Sequence, residues 1–92
     1  MVTINEYQNY CSRWNEGGQL FAWLLQNSAI VGVSQAALVQ DFEFAPSTVS
    51  RWAAGQAVPH KRIQKLVIDH LNKKGAQLAR AAQVAQLPHI TM

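Results

Sequence analysis

Between Ser34 and Pro59 the chain reads SQAALVQDFEFAPSTVSRWAAGQAVP, and this run leaves little choice of local structure. Ser34 can set its side-chain oxygen on a free amide at the start of a helix. Leu38, Val39 and Phe42 follow at helical spacing and are expected to face inward. A short connection around Glu43-Phe44-Ala45 leads to Pro46, which suits the first position of a second helix, where a missing N–H costs nothing. That second helix is expected from about Pro46 to Ala54, anchored by Val49 and Trp52, closed by Gly55 and followed by a stop at Pro59. Two short helices joined this closely cannot lie antiparallel, so they are predicted to cross.

The rest of the chain also reads as helix. Thr3 and Glu6 have the spacing of a capping box. Ile4, Tyr7, Cys11 and Trp14 fall on one face of an N-terminal helix over about 4–15, best explained by packing, with Gly17-Gly18 as its terminator. The next helix is expected from about Gln19 to Val31. Leu20, Phe21, Leu24, Leu25 and Val31 supply its apolar face, Trp23 packs on the N-terminal helix, and Gly32 takes the left-handed conformation after its end. Pro59 marks the start of a further helix. Its buried stripe is predicted to be Ile63, Leu66, Val67, His70 and Leu71, with Lys65, Asp69 and Lys73 on the wet side. Gly75 is expected to stop or kink it, leaving a separate C-terminal helix over about 76–87, with a thin apolar face of Leu78, Ala82 and Ala85 and its end at Pro88. No internal repeat or low-complexity linker divides the chain, which reads as a single all-α domain over 1–92 with five or six helices.

Composition excludes several classes. Cys11 is the only cysteine, so no intramolecular disulfide and no Cys-Cys or Cys-His metal spacing is possible. His60, His70 and His89 share no ligand spacing, and His70 on an apolar stripe reads as a satisfied core histidine. Asp41 and Glu43 are two apart and would diverge, no Gly-rich phosphate loop is present, and no nucleophile–base pair stands out. No catalysis, metal or cofactor is expected. The opening MVTINEYQNY lacks the basic and apolar regions of a signal peptide, and no apolar run approaches the roughly 20 residues of a membrane span, so a cytoplasmic protein with no membrane partner is expected.

Charge is distributed unevenly. Up to Pro46, Glu6, Glu16, Asp41 and Glu43 stand against Arg13 alone; from Ser47 onward, Arg51, Lys61, Arg62, Lys65, Lys73, Lys74 and Arg80 stand against Asp69 alone. A basic half on a small domain points to a polyanion partner.

Ser34-Gln35, Leu38-Val39, Glu43-Phe44-Ala45, Val49-Ser50-Arg51-Trp52, Gly55 and Pro59 together resemble the phage-repressor/Cro (XRE) helix-turn-helix family of DNA-binding regulators, over about Leu20 to Leu71. The resemblance implies a lambda-repressor-like fold with its helix-turn-helix over about 34–54, the second helix entering the major groove. With Val49 and Trp52 inward, Pro46, Ser47, Thr48, Ser50 and Arg51 are the expected base-contacting residues; the Arg51 fork matches guanine O6 and N7. The family likeness makes Gln35 a phosphate contact, and Gln56, Lys61 and Arg62 are expected to join it, while Lys73 and Lys74 read as a solvated helix end. The chain departs from the family at Glu43, where Gly is common and the backbone is unusual; at Val39, where Ala is common; and at Ala45, where a Ser, Thr or Asp cap is usual.

The function expected from these residues is sequence-specific binding of double-stranded DNA by a transcriptional regulator, a repressor acting as a homodimer on a palindromic operator. The segment from Leu78 to Leu87 is the expected dimer surface. Two alternatives stand beside it: the DNA-binding antitoxin of a toxin–antitoxin pair, and a helical adaptor that has lost DNA binding. A toxin or an antirepressor would be a further protein partner.

Overall fold

The computed structural model describes residues 2–15 and 18–86, with side chains described through residue 81. It is all-α: α1 (Ile4–Arg13), α2 (Gly18–Gln26), a one-turn 3-10 helix (Ser28–Val31), α3 (Gln35–Phe42), α4 (Pro46–Ala53) and α5 (Lys61–Gln86), with no strand among the described residues.

Local chemistry explains most boundaries. Thr3 caps α1, its Oγ1 accepting from the Glu6 amide at 3.1 Å and donating to Glu6 Oε1 at 3.2 Å. Helix α1 ends at Arg13, because Trp14 turns to an extended ψ of 132° while its amide donates to the Cys11 carbonyl. The helix therefore stops before the expected glycines. Gly17 lies outside the described residues; Gly18 opens α2, where a Cβ would come within 2.8 Å of Val58 Cγ2. Helix α2 is shorter than the Gln19–Val31 expectation. At Asn27 the backbone N–H still donates to the Trp23 carbonyl at 3.0 Å, joined by the Asn27 side-chain amide at 2.9 Å, and the Asn27 carbonyl then accepts from the Ile30 N–H, three residues on, at 3.0 Å. The chain then tightens into the 3-10 turn, which Gly32 ends at φ +75°. Ser28, buried, ties this turn to the next segment by donating to the Val33 carbonyl at 2.6 Å.

Tyr7, Phe21, Leu24, Leu38, Val49 and Leu71 are among the largest fully buried side chains of one core shared by all the helices. Tyr7 donates its hydroxyl to the Leu24 carbonyl, so burying this phenol leaves no polar atom stranded. Trp23 lies against Tyr7 and Tyr10, as its position around α2 predicts.

Helix α5 departs furthest from the sequence reading. It starts at Lys61, two residues after Pro59, because His60 caps it: Nδ1 accepts from the Arg62 amide at 3.1 Å and the His60 carbonyl from Ile63 and Gln64. Its buried stripe is rotated. Gln64, Val67, Ile68 and Leu71 are inside, while Leu66 is 56% exposed and Ile63 and His70 are half-buried. Gly75 neither stops nor kinks α5, which runs unbroken to Gln86. Gly75 is instead a close-packing point, where a Cβ would fall 2.9 Å from Val31 Cγ1 and 3.3 Å from Gln8 Cγ. The separate 76–87 helix is thus the second half of α5 as far as Gln86; Leu87 and Pro88, and the side chains of Ala82 and Ala85, lie outside the described residues.

Candidate nucleic-acid interface

Helix α3 begins with Ser34 accepting from the Ala37 amide at 3.0 Å and ends at Glu43, which takes the left-handed conformation at φ 59°, ψ 34°. Glu43 is the only described residue other than glycine with positive φ. This backbone reversal sends the chain directly into α4, with Phe44 and Ala45 completing the connection. Phe44 stacks on Phe42 at 5.3 Å and meets Trp52 edge-on at 5.0 Å, so the turn is packed against α4.

Ala45 precedes α4 without a side-chain cap, and Pro46 occupies the first turn. Helix α4 buries Val49, Trp52 and Ala53. The helical period puts Ser47, Ser50, Arg51 and Ala54 on the opposite side, all exposed. Ser47 and Arg51, four apart, form one ridge of that face. Pro46 is exposed at the helix start. Thr48 is half-buried, so its hydroxyl lies at the margin of the open face rather than within it. The C-terminal end of α4 is closed by a Schellman arrangement: Gln56 N–H donates to the Arg51 carbonyl at 2.9 Å and Gly55 N–H to the Trp52 carbonyl at 3.1 Å, with Gly55 at φ +75°.

The expected phosphate-contacting residues are dispersed over three elements. Gln35 is exposed in the first turn of α3, Gln56 is exposed just past α4, and Lys61 and Arg62 are exposed in the first turn of α5. No acidic residue lies in that first turn of α5. Arg62 there stands at the positive end of the helix dipole, which disfavours a cation.

Sequence reasoning missed two glutamines that hold this region together. Gln26, at the end of α2, donates its side-chain amide to the Ala53 carbonyl and so fastens α4 to α2. Gln64 is 2% exposed; its Oε1 accepts from Trp14 Nε1 at 3.0 Å and its Nε2 donates to the Pro59 carbonyl at 2.9 Å. The Gln64 side chain gives no signal of such a role in the sequence, because Trp14 and Pro59 stand 50 and 5 residues away.

His70, expected to be a satisfied core histidine, is half-buried and meets Asp41 at ion-pair distance without a hydrogen bond at its Nε2. This buried Nε2 lies 3.4 Å from Asp41 Oδ2, while the ring meets Phe42 edge-on at 5.1 Å. Burial pushes the Cys11 thiol up to about 11, helped by the charge of Asp69, and holds the Tyr7 hydroxyl far above the usual tyrosine range. Both groups stay protonated at neutral pH and serve packing. Among the described residues no group of three His, Cys, Asp or Glu side chains is placed to hold a metal, and no helix is long and apolar enough to cross a membrane.

Comparison with protein-family models, with curated proteins and with solved structures finds no match for this chain.

Proposed function

We propose that α3 and α4 act as a helix-turn-helix of the phage-repressor-like kind, and that the protein is a non-enzymatic, cytoplasmic regulator that binds specific duplex DNA. The observation that carries this reading is the division of α4: Val49, Trp52 and Ala53 locked into the core, and Pro46, Ser47, Ser50 and Arg51 standing open on the second of two short helices joined by a three-residue turn. A helix so placed can enter a major groove with its hydroxyls and one guanidinium toward the base edges. Arg51 is the only charged residue of α4, and its fork fits guanine O6 and N7.

A second feature supports the same partner. Lys61 and Arg62 are exposed at the N-terminal end of α5, where their charge can meet a phosphate group. Gln35 at the start of α3 offers a third phosphate contact, next to amides that favour an anion. One recognition helix with this few polar readers gives limited discrimination, so the protein acts as a homodimer on a palindromic site, two half-sites a helical turn apart. Repression of a promoter follows where such a site overlaps it.

The test is fluorescence-anisotropy titration of the full chain against the duplex flanking its own gene, a scrambled duplex of equal length and the corresponding single strand. The proposal expects the flanking duplex to be bound at least a hundredfold more tightly than the scrambled one. Equal affinity for all three would overturn it.

A further inference from the structure

The elements proposed to touch DNA rest on different parts of the molecule. Helix α4 packs on α2 and α3, whereas α5 packs chiefly on α1 and the 3-10 turn. They are joined covalently by the connection from Ala54 to His60, which has no helix of its own. Such a connection does not by itself fix where Lys61 and Arg62 stand relative to α4.

One buried side chain adds a polar constraint to the packing of the shared core. Gln64 uses both ends of its amide: Nε2 holds the carbonyl of Pro59, in the connection, and Oε1 is held by the indole N–H of Trp14, just past α1. The Pro59 carbonyl is one residue before His60, whose Nδ1 and carbonyl start α5. The chain of contacts therefore runs from Trp14 through Gln64 to Pro59 and the first turn of α5. At 2% exposure the Gln64 side chain itself has little access to solvent. Trp14 also decides which way the amide faces: with the indole donating, the oxygen must point to Trp14 and the NH2 to Pro59.

We infer that Trp14 and Gln64 are positioning residues that register the phosphate-contacting start of α5 (Lys61 and Arg62) against the base-reading helix α4, an inference that rests on the DNA-binding reading above. On this account α1 is the anchor of the DNA-contacting connection rather than an accessory helix.

The experiment uses the full chain with Trp14→Phe, which keeps an aromatic ring and removes the donor, and Gln64→Met, which keeps the volume and removes both bonds. Each is measured in two ways, at a temperature where its circular dichroism shows it folded. Hydrogen exchange should speed up at least tenfold at the amides of residues 61–64, with α2 and α4 unchanged. The slope of log affinity against log salt on duplex DNA should fall by about 0.9 for each phosphate no longer neutralised, which is about 3.5-fold in affinity across a fourfold change in salt. The ratio of specific to random affinity should stay within about twofold, because α4 keeps its own seat, a pattern that a mere loss of folded protein does not produce. Unchanged exchange at 61–64 in both variants would overturn the inference at the tether. Faster exchange with the parent salt slope would overturn it at the positioning role. If the parent itself binds no duplex, the DNA-binding reading fails and takes the positioning role with it, a result seen before any variant is made.

Discussion

Replacing Glu43 by glycine should make this protein more stable. Glu43 sits at φ 59°, ψ 34° between α3 and α4, exposed to solvent. A residue with a Cβ in this left-handed region pays roughly 1–2 kcal/mol in steric repulsion against its own backbone. Glycine escapes that repulsion but gives the unfolded chain more freedom, which costs roughly 0.5–1 kcal/mol. Taking the middle of each range, about 1.5 against about 0.75 kcal/mol, the difference favours glycine by about 0.75 kcal/mol, and at this chain length that raises the melting temperature by roughly 3–6 °C. Glu43→Ala is the control, since it removes the same carboxylate and keeps the Cβ. Thermal denaturation followed by circular dichroism should place Glu43→Gly at least about 2 °C above Glu43→Ala, consistent with the estimate above. Both variants lose a negative charge next to α4, so both should tighten duplex binding at low salt to the same extent. If Glu43→Gly melts at or below Glu43→Ala, residue 43 is not the left-handed point of the turn, and the path from α3 to α4 is wrong.

Three further substitutions probe other links. Val49→Asp puts a charge with no partner at a position 1% exposed, a cost of several kcal/mol against a total stability on the order of 5–15 kcal/mol, so the variant should lose its cooperative melt; an unchanged melting temperature would mean α4 is rotated. Gly75→Ala should destabilise by about 1 kcal/mol although alanine is the better helix former, because the new methyl meets buried Val31 and overpacking by a methyl costs roughly 1–3 kcal/mol; a higher melting temperature in denaturation scans would refute the close approach of α5 to the 3-10 turn. Arg51→Ala should cost about 1–3 kcal/mol on the specific duplex and leave folding intact, and equal weakening on random duplex would reduce Arg51 to a phosphate contact.

Where the sequence was legible, the signal was local. Ser34, Gly32, Gly55 and Pro46 mark helix ends through their own side chains or backbone freedom, and each does so in the structure. Val49 and Trp52 show the buried side of α4 because an eight-residue helix has few ways to hide two large apolar groups. The proposed DNA-facing side of α4 follows from those same two anchors, by periodicity alone. The failures came where the answer lay in another part of the chain. Leu66 looks like core and Gln64 like surface until Trp14 and Pro59 supply partners for the amide and rotate α5. Gly75 carries the signature of a helix end, yet its missing Cβ serves the contact with Val31. Helix α2 tightens early into the 3-10 turn after Asn27, a change of hydrogen-bond pattern that the apolar residues from Leu20 to Val31 conceal.

Duplex DNA is the proposed partner, with α4 proposed to read it and the start of α5 to hold its phosphates. The most direct test of this reading is the salt dependence of duplex affinity for the parent and for the double variant Lys61→Ala, Arg62→Ala. The account predicts a steep parent slope that falls by about 0.9 for each residue removed, with specific and random duplex weakened alike. A double variant that keeps the parent slope would contradict the assignment of Lys61 and Arg62, and a parent affinity that does not change with salt would contradict the nucleic-acid interface itself.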